Sequence, residues 1–167
     1  AEAYNYRGIA YWQKDQYDRA ISDFDKAIEI NPRHADAYFN RGFAYWLLKG
    51  QYDRAISDYN RAIEINPKHV VAYYNRGFIY GEKHQYDRAI SDYNKAIEIN
   101  PRYAEVYYSR GIAYYFKKEY QKSWEDIKKA QSLGYEIDPK FLDQLRKKSG
   151  RQNWGIEYTH FILAIFN

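Results

Sequence analysis

The chain contains neither cysteine nor methionine among its 167 residues. Without cysteine there are no disulfides, no thiolate metal sites and no sulfur nucleophile. Without methionine there is no initiator, and the chain is read as a piece excised or processed from something longer. No secretory leader is recognisable. Charge of one sign is also scarce: 26 Lys and Arg stand against 22 Asp and Glu, for a net charge of +4. The final 30 residues hold five of the basic and three of the acidic side chains, half of that excess. No basic stripe remains elsewhere, so nucleic acid is not expected as a partner. No apolar run approaches the about 20 residues needed to cross a bilayer, so a membrane is not expected as a partner either. The compartment is unknown, with the cytoplasm as the default. Catalytic signatures are missing as well. There is no Gly-rich phosphate loop, no His-x-x-x-His pair and no nucleophile elbow. His34 and His69 fall in equivalent turns without partner ligands, and the carboxylates are scattered along a repeated face. These absences point away from an enzyme, from cofactors and from metals.

What the chain does have is self-similarity. QYDRAISDFDKAIEINP at 16–32 returns as QYDRAISDYNRAIEINP at 51–67 and QYDRAISDYNKAIEINP at 85–101, with a decayed copy, EYQKSWEDIKKAQSLGY, at 119–135. A period of 34 to 35 residues signals stacked supersecondary units with one continuous core. Aromatics make up 20% of the residues, and 21 residues are Tyr. A tyrosine buries its ring and keeps its hydroxyl wet, which suits a thin solenoid and a binding surface alike.

Each unit divides into two helical halves. In the first, small or apolar groups recur with a helical period, as at Ala37, Tyr38, the Arg41 stem, Ala44 and Tyr45. Gly8, Gly42, Gly77 and Gly111 lie mid-helix at one spacing. Such a glycine costs about 1 kcal/mol relative to alanine, so its recurrence implies a neighbouring helix too close for a side chain. In the second half, Ala20 and Ala27 and their equivalents let two helices approach. Tyr17, Ile21, Phe24 and Ile28 are expected in the core; Asp18, Arg19, Asp23 and Lys26 are expected to face water, with Arg19 and Asp23 as an i,i+4 pair. Asn31-Pro32, Asn66-Pro67 and Asn100-Pro101 should end the second helix, with asparagine in a left-handed cap. Arg7, Arg41, Arg76 and Arg110 form a column expected between adjacent repeats, each meeting a carboxylate or a ring.

The columns Tyr4/Gly8/Tyr11/Ala20/Phe24/Ala27/Pro32 and Tyr38/Gly42/Tyr45/Ala55/Tyr59/Ala62/Pro67 resemble the tetratricopeptide repeat. So do Tyr73/Gly77/Tyr80/Ala89/Tyr93/Ala96/Pro101 and Tyr107/Gly111/Tyr114/Ser123/Ile127/Ala130. The resemblance implies an all-α fold: a right-handed α-solenoid of antiparallel helix pairs whose first helices line a concave groove. It covers residues 1–137 as four repeats, at 1–34, 35–69, 70–103 and 104–137. Repeat two has one extra residue before Gln51, and repeat four has Ser123 in place of alanine and no closing proline. These irregularities suggest a natural array, while the closeness of the copies leaves a consensus design open.

If the resemblance holds, four columns face the groove: Asn5, Phe39, Tyr74 and Tyr108; Tyr6, Asn40, Asn75 and Ser109; Ile9, Phe43, Phe78 and Ile112; and Trp12, Trp46, Gly81 and Tyr115. The result is an aromatic channel with a short row of amides. Any single column could instead fill space between helices. Asn40 and Asn75 can pair with a peptide backbone of any sequence, similar to the asparagine ladder of the O-linked N-acetylglucosamine transferase repeats, although Tyr6 and Ser109 interrupt the row. The co-chaperone class of these repeats grips a C-terminal carboxylate with a set of Lys, Asn and Arg. At the matching places here, Asn5, Ile9, Asn40, Val71 and Asn75, only Asn40 agrees, so no binding of EEVD-type tails is expected.

Beyond the repeats, Asp138 and Pro139 read as N-cap and first residue of a capping helix over 138–150, with Phe141, Leu142 and Leu145 facing inward and Gly150 as the stop. The apolar tail at 151–167 is expected to be helical, with Trp154, Tyr158, Phe161, Ile162 and Ile165 on one face. Three functions follow. The first is a scaffold that binds an apolar or amphipathic protein segment in the groove. The second is a self-assembly module in which the tail at 154–166 packs on its own or a neighbouring solenoid. The third is the substrate-recruiting arm of a larger enzyme.

Overall fold

The computed structural model describes residues 1–48 and 50–150, so the expectation of a helical tail lies outside the described residues. Those residues form nine α-helices and no strand: α1 (Glu2–Trp12), α2 (Tyr17–Ile30), α3 (Ala35–Leu47), α4 (Tyr52–Ile65), α5 (Val70–Glu82), α6 (Tyr86–Ile99), α7 (Ala104–Phe116), α8 (Tyr120–Ser132) and α9 (Pro139–Ser149). Successive helices pair as α1–α2, α3–α4, α5–α6 and α7–α8, and the pairs stack. Contact between the first helices of neighbouring pairs, α1 with α3 and α5 with α7, puts them on the inner wall of the solenoid.

The glycine column acts by steric necessity. A Cβ on Gly8 would stand 2.6 Å from the Phe24 ring, and one on Gly77 2.8 Å from Tyr93. Opposite them, Ala20, Ala27, Ala55, Ala62, Ala89 and Ala96 are fully buried on the second helices. Where repeat four has Ser123, its hydroxyl donates to the Gly111 carbonyl at 2.8 Å, so the buried oxygen is satisfied within the same close contact.

The arginine column joins the repeats, as the sequence suggests. Each guanidinium grips both oxygens of an aspartate on its own second helix: Arg7 with Asp23, Arg41 with Asp58, Arg76 with Asp92 and Arg110 with Asp126, at 2.6 to 2.8 Å. A further N–H then reaches back to the preceding repeat, from Arg41 to Asp25, Arg76 to Asn60 and Arg110 to Asn94, each at 2.6 Å. Asp23 is therefore buried and held by Arg7; it neither faces water nor pairs with Arg19. Arg19 bonds Gln16 and lies over the Tyr11 ring. Burial pushes the Asp58 and Asp126 carboxyls up, and the facing arginine opposes it. With both oxygens accepting charge-assisted bonds, the ionised pair stands.

The asparagine caps also differ from expectation. Asn31, Asn66 and Asn100 are extended (φ −134°, −126° and −132°), not left-handed. The following proline excludes the helical and favours the extended region. The asparagine Oδ1 instead accepts from the amide two residues on, as from Arg33 at 3.0 Å. The turn within each pair holds one left-handed residue instead: Asp15, Gly50, His84 and Lys118, with φ of 57°, 90°, 57° and 62°.

The capping helix forms as read. Asp138 accepts from the Lys140 amide at 2.9 Å and Gly150 adopts φ 71°. Leu145 is fully buried with Trp124 and Ile127, and Phe141 and Leu142 pack on that cluster.

Candidate functional site

The inner wall is built from first-helix residues that point away from the paired second helix. Two of the four columns join into one aromatic stripe. Trp12 meets Phe43 edge-on with centroids 5.4 Å apart, Phe43 meets Trp46 at 5.1 Å, and Trp46 meets Phe78 edge-on at 5.7 Å. These rings and Ile9 are half-buried, so each stays partly exposed. The rigidity of such a stripe suits recognition, because little side-chain freedom is lost on binding.

The remaining columns have other engagements. Asn5 is buried, 4% exposed, and its Oδ1 accepts from Asn40 Nδ2 at 2.9 Å. Phe39 lies against Tyr59 and the His69 ring, at 5.7 and 4.8 Å. Tyr74 lies against Tyr93 and Tyr103, and Tyr108 against Tyr135 and Phe141. This column therefore fills the seam with the next turn. Asn75 adjoins the buried Tyr59 hydroxyl, which has no well-formed hydrogen bond, and Ser109 adjoins the Tyr93 hydroxyl. Burial pushes both tyrosines up, so they are neutral at physiological pH. Tyr6, in the first described repeat, is 67% exposed, whereas Asn40, Asn75 and Ser109 are half-buried between repeats. Tyr115 turns to Tyr120 and Phe141 beneath the cap.

At Gly81 the aromatic column is broken. The break opens a cavity of about 460 Å³ lined by Phe78, Glu82, Tyr86, Ile112 and Phe116 among others. Phe116 stands on its rim, 55% exposed and stacked on Tyr86.

Sequence reasoning passed over two further features. His34 and His69 are N-caps: each Nδ1 accepts from the amide three residues on, Ala37 at 3.3 Å and Ala72 at 3.2 Å. That bond places the proton on Nε2, which lies 3.2 Å from Glu2 in one and 3.3 Å from Asp36 in the other. Burial lowers the His69 pKa below the usual 6.5, and Asp36 only partly offsets this. A histidine one residue before a predicted helix was the available signal. The second feature is which carboxylate the expected arginine column meets: Asp23, Asp58, Asp92 and Asp126, whose joint recurrence with the arginines in all four copies was the available signal. Among the described residues no group of three His, Cys, Asp or Glu could hold a metal ion, and no helix is long and apolar enough to cross a membrane.

Comparison with known proteins agrees with this architecture. One tetratricopeptide repeat family model matches residues 1–34 and 70–103, a second TPR model matches 47–84, and a third tetratricopeptide model matches 24–57 and 92–125. The chain belongs to the tetratricopeptide repeat family. Among solved structures, a crystal structure of MamA is 30% identical with a TM-score of 0.75, covering 79% of this chain and 77% of that one. MamA from Desulfovibrio magneticus RS-1, residues 41 to the end, shares the fold at 21% identity, with a TM-score of 0.79 and coverage of 98% and 92%. The first TPR domain of Spaghetti (RPAP3), solved with the HSP90 peptide SRMEEVD, is 27% identical with a TM-score of 0.64, covering 66% of this chain and 89% of that one. An uncharacterised protein of Methanocaldococcus jannaschii is 40% identical over 48 residues, which are 29% of this chain. The match spans 56% of that curated relative's length. TPR proteins of this kind mediate protein–protein interaction.

Proposed function

We propose that this chain is a non-catalytic scaffold whose inner wall binds an apolar or amphipathic segment of another protein. The observation that carries this reading is the half-buried stripe Trp12–Phe43–Trp46–Phe78 running across three successive first helices. Four linked, partly exposed rings make the kind of rigid aromatic surface on which binding energy concentrates. The Spaghetti domain is solved with a peptide that ends in EEVD. Ile9 and Val71 stand where the carboxylate-gripping set of co-chaperone repeats calls for polar or cationic groups, so an EEVD-type tail would lose its charge-assisted bonds here. The preferred ligand is held through apolar side chains rather than through a terminal carboxylate.

The test is selection of binders from a displayed library of random twelve-residue peptides against the full chain, followed by titration of the best binder. Phe43→Ala and Trp46→Ala should each weaken binding at least tenfold with the helical circular dichroism retained. Affinity unchanged in both variants sinks the reading. Titration of a separate peptide of residues 151–167 runs beside it. Saturable binding lost in Phe43→Ala would turn the reading to self-association through the tail.

A further inference from the structure

Five first-helix glycines divide into two kinds. Four of them, Gly8, Gly42, Gly77 and Gly111, have second-helix atoms within 3.1 Å of where a Cβ would stand. Gly81 does not: its nearest neighbour would be the Tyr93 hydroxyl at 3.8 Å, an ordinary contact. A glycine inside α5 weakens the helix relative to alanine, and at position 81 no packing demand accounts for it. What its missing side chain leaves is the cavity of about 460 Å³, within the range of small-ligand clefts, roughly 300 to 1,000 Å³.

The repeats themselves show what fits there. In the equivalent place Trp46 lies between Phe43 of its own helix and Phe78 of the next first helix, at 5.1 and 5.7 Å. Around Gly81 the same two walls are present as Phe78 and Ile112, with Phe116 as an added rim. The cavity also has a charge. Glu82 lines it and makes no ion pair among the described residues, while the lysines at the adjoining helix ends are turned elsewhere. Lys83 bonds Asp53 at 2.6 Å, and Lys117 pairs with Asp87 and Glu119. An unpaired carboxylate beside an apolar seat is complementary to a cation next to an aromatic ring.

We propose that the gap at Gly81 is an anchor subsite that receives one aromatic side chain of a partner protein's segment, with an adjacent Lys or Arg of that segment at Glu82. The bound ring continues the aromatic stripe where the chain itself leaves it open, and Phe116 closes over it. This rests on the groove reading above and adds the chemistry of one position of the ligand.

The test uses two small probes, the capped dipeptides acetyl-Trp-Lys-amide and acetyl-Trp-Gln-amide, titrated into the isotope-labelled full chain. Saturable amide shifts are expected at Gly81, Ile112 and Phe116 with both, and the lysine probe should bind up to about fivefold more tightly, the scale of an exposed ion pair. Glu82→Gln should remove that preference without touching the glutamine probe. Gly81→Trp supplies the missing ring from within; it should weaken both probes at least tenfold and leave thermal stability equal or higher. Probe binding that survives Gly81→Trp, or shifts centred elsewhere, overturns the subsite. If library peptides depend on Trp46 but tolerate Gly81→Trp, the subsite fails and the groove stands; if they tolerate both changes, the groove fails too. Trp154→Ala in the full chain is the last arm. It should leave the unliganded amide shifts around Gly81 unchanged, and movement there would assign the seat to this chain's own tail and overturn an external occupant.

Discussion

Helix α5 presents two faces that obey different rules. Toward α6 it shows Gly77 and Arg76, and these positions hold the same residue types in every repeat. Toward the inner wall it shows Phe78 and Gly81, where the other repeats have Ile, Phe and Ile, and Trp, Trp and Tyr. The first face is fixed because close approach and a bidentate ion pair each admit one residue type. The second varies because half-buried packing there accepts rings and aliphatic groups of different size. Structure is carried by the constant columns, and the individuality of the chain by the variable ones.

That contrast is open to direct attack. The largest effect is expected from Asp92→Ala, which leaves the largely buried Arg76 guanidinium without its two charge-assisted bonds and costs about 3 to 5 kcal/mol in chemical denaturation. Asp23→Ala should cost less, because Arg7 is 57% exposed where Arg76 is 18%, and water can take over. Equal losses at both sites would remove the distinction between an interior seam and the edge of the described stack. Next comes Gly77→Ala. Its Cβ would press on Tyr93 at 2.8 Å and on the Ala89 carbonyl at 3.2 Å, for a net loss of about 1 to 3 kcal/mol.

A smaller effect follows from pH. The folded state holds His69 below its ordinary pKa of 6.5, so it binds fewer protons there than the unfolded chain. Stability is then full above about pH 6.5 and falls as the pH drops below it. Protonation of Nδ1 also removes the α5 cap, worth about 1 kcal/mol. His69→Asn keeps a cap that does not titrate; its denaturation midpoint should change less between pH 7 and pH 5.5 than that of the parent. The smallest effect has the opposite sign. Gly81→Ala should stabilise the fold by up to about 1 kcal/mol, four residues from a glycine where the same change destabilises.

The helix pairs, the glycine contacts and the α9 cap were legible because each left a repeated or well-punctuated trace. Asp23 was misread because its helix position alone suggested solvent, and its partner lies on another helix. The three asparagines were misread because asparagine's tolerance of left-handed geometry was weighed ahead of the constraint from the following proline. On the wall, sequence named the aromatics but not their arrangement. Which rings join across repeats, and that Asn40 is bonded to a buried Asn5, depend on how far each first helix is offset from the next. No single-helix pattern encodes that offset.

The hairpin turns carry one more consequence. Three of them place a side-chain-bearing residue at positive φ where the remaining one uses Gly50. Each such residue holds roughly 1 kcal/mol of backbone strain. Lys118 makes no contribution to the inner wall, so Lys118→Gly is a thermostabilising change that protein engineering could apply there without altering what the solenoid recognises.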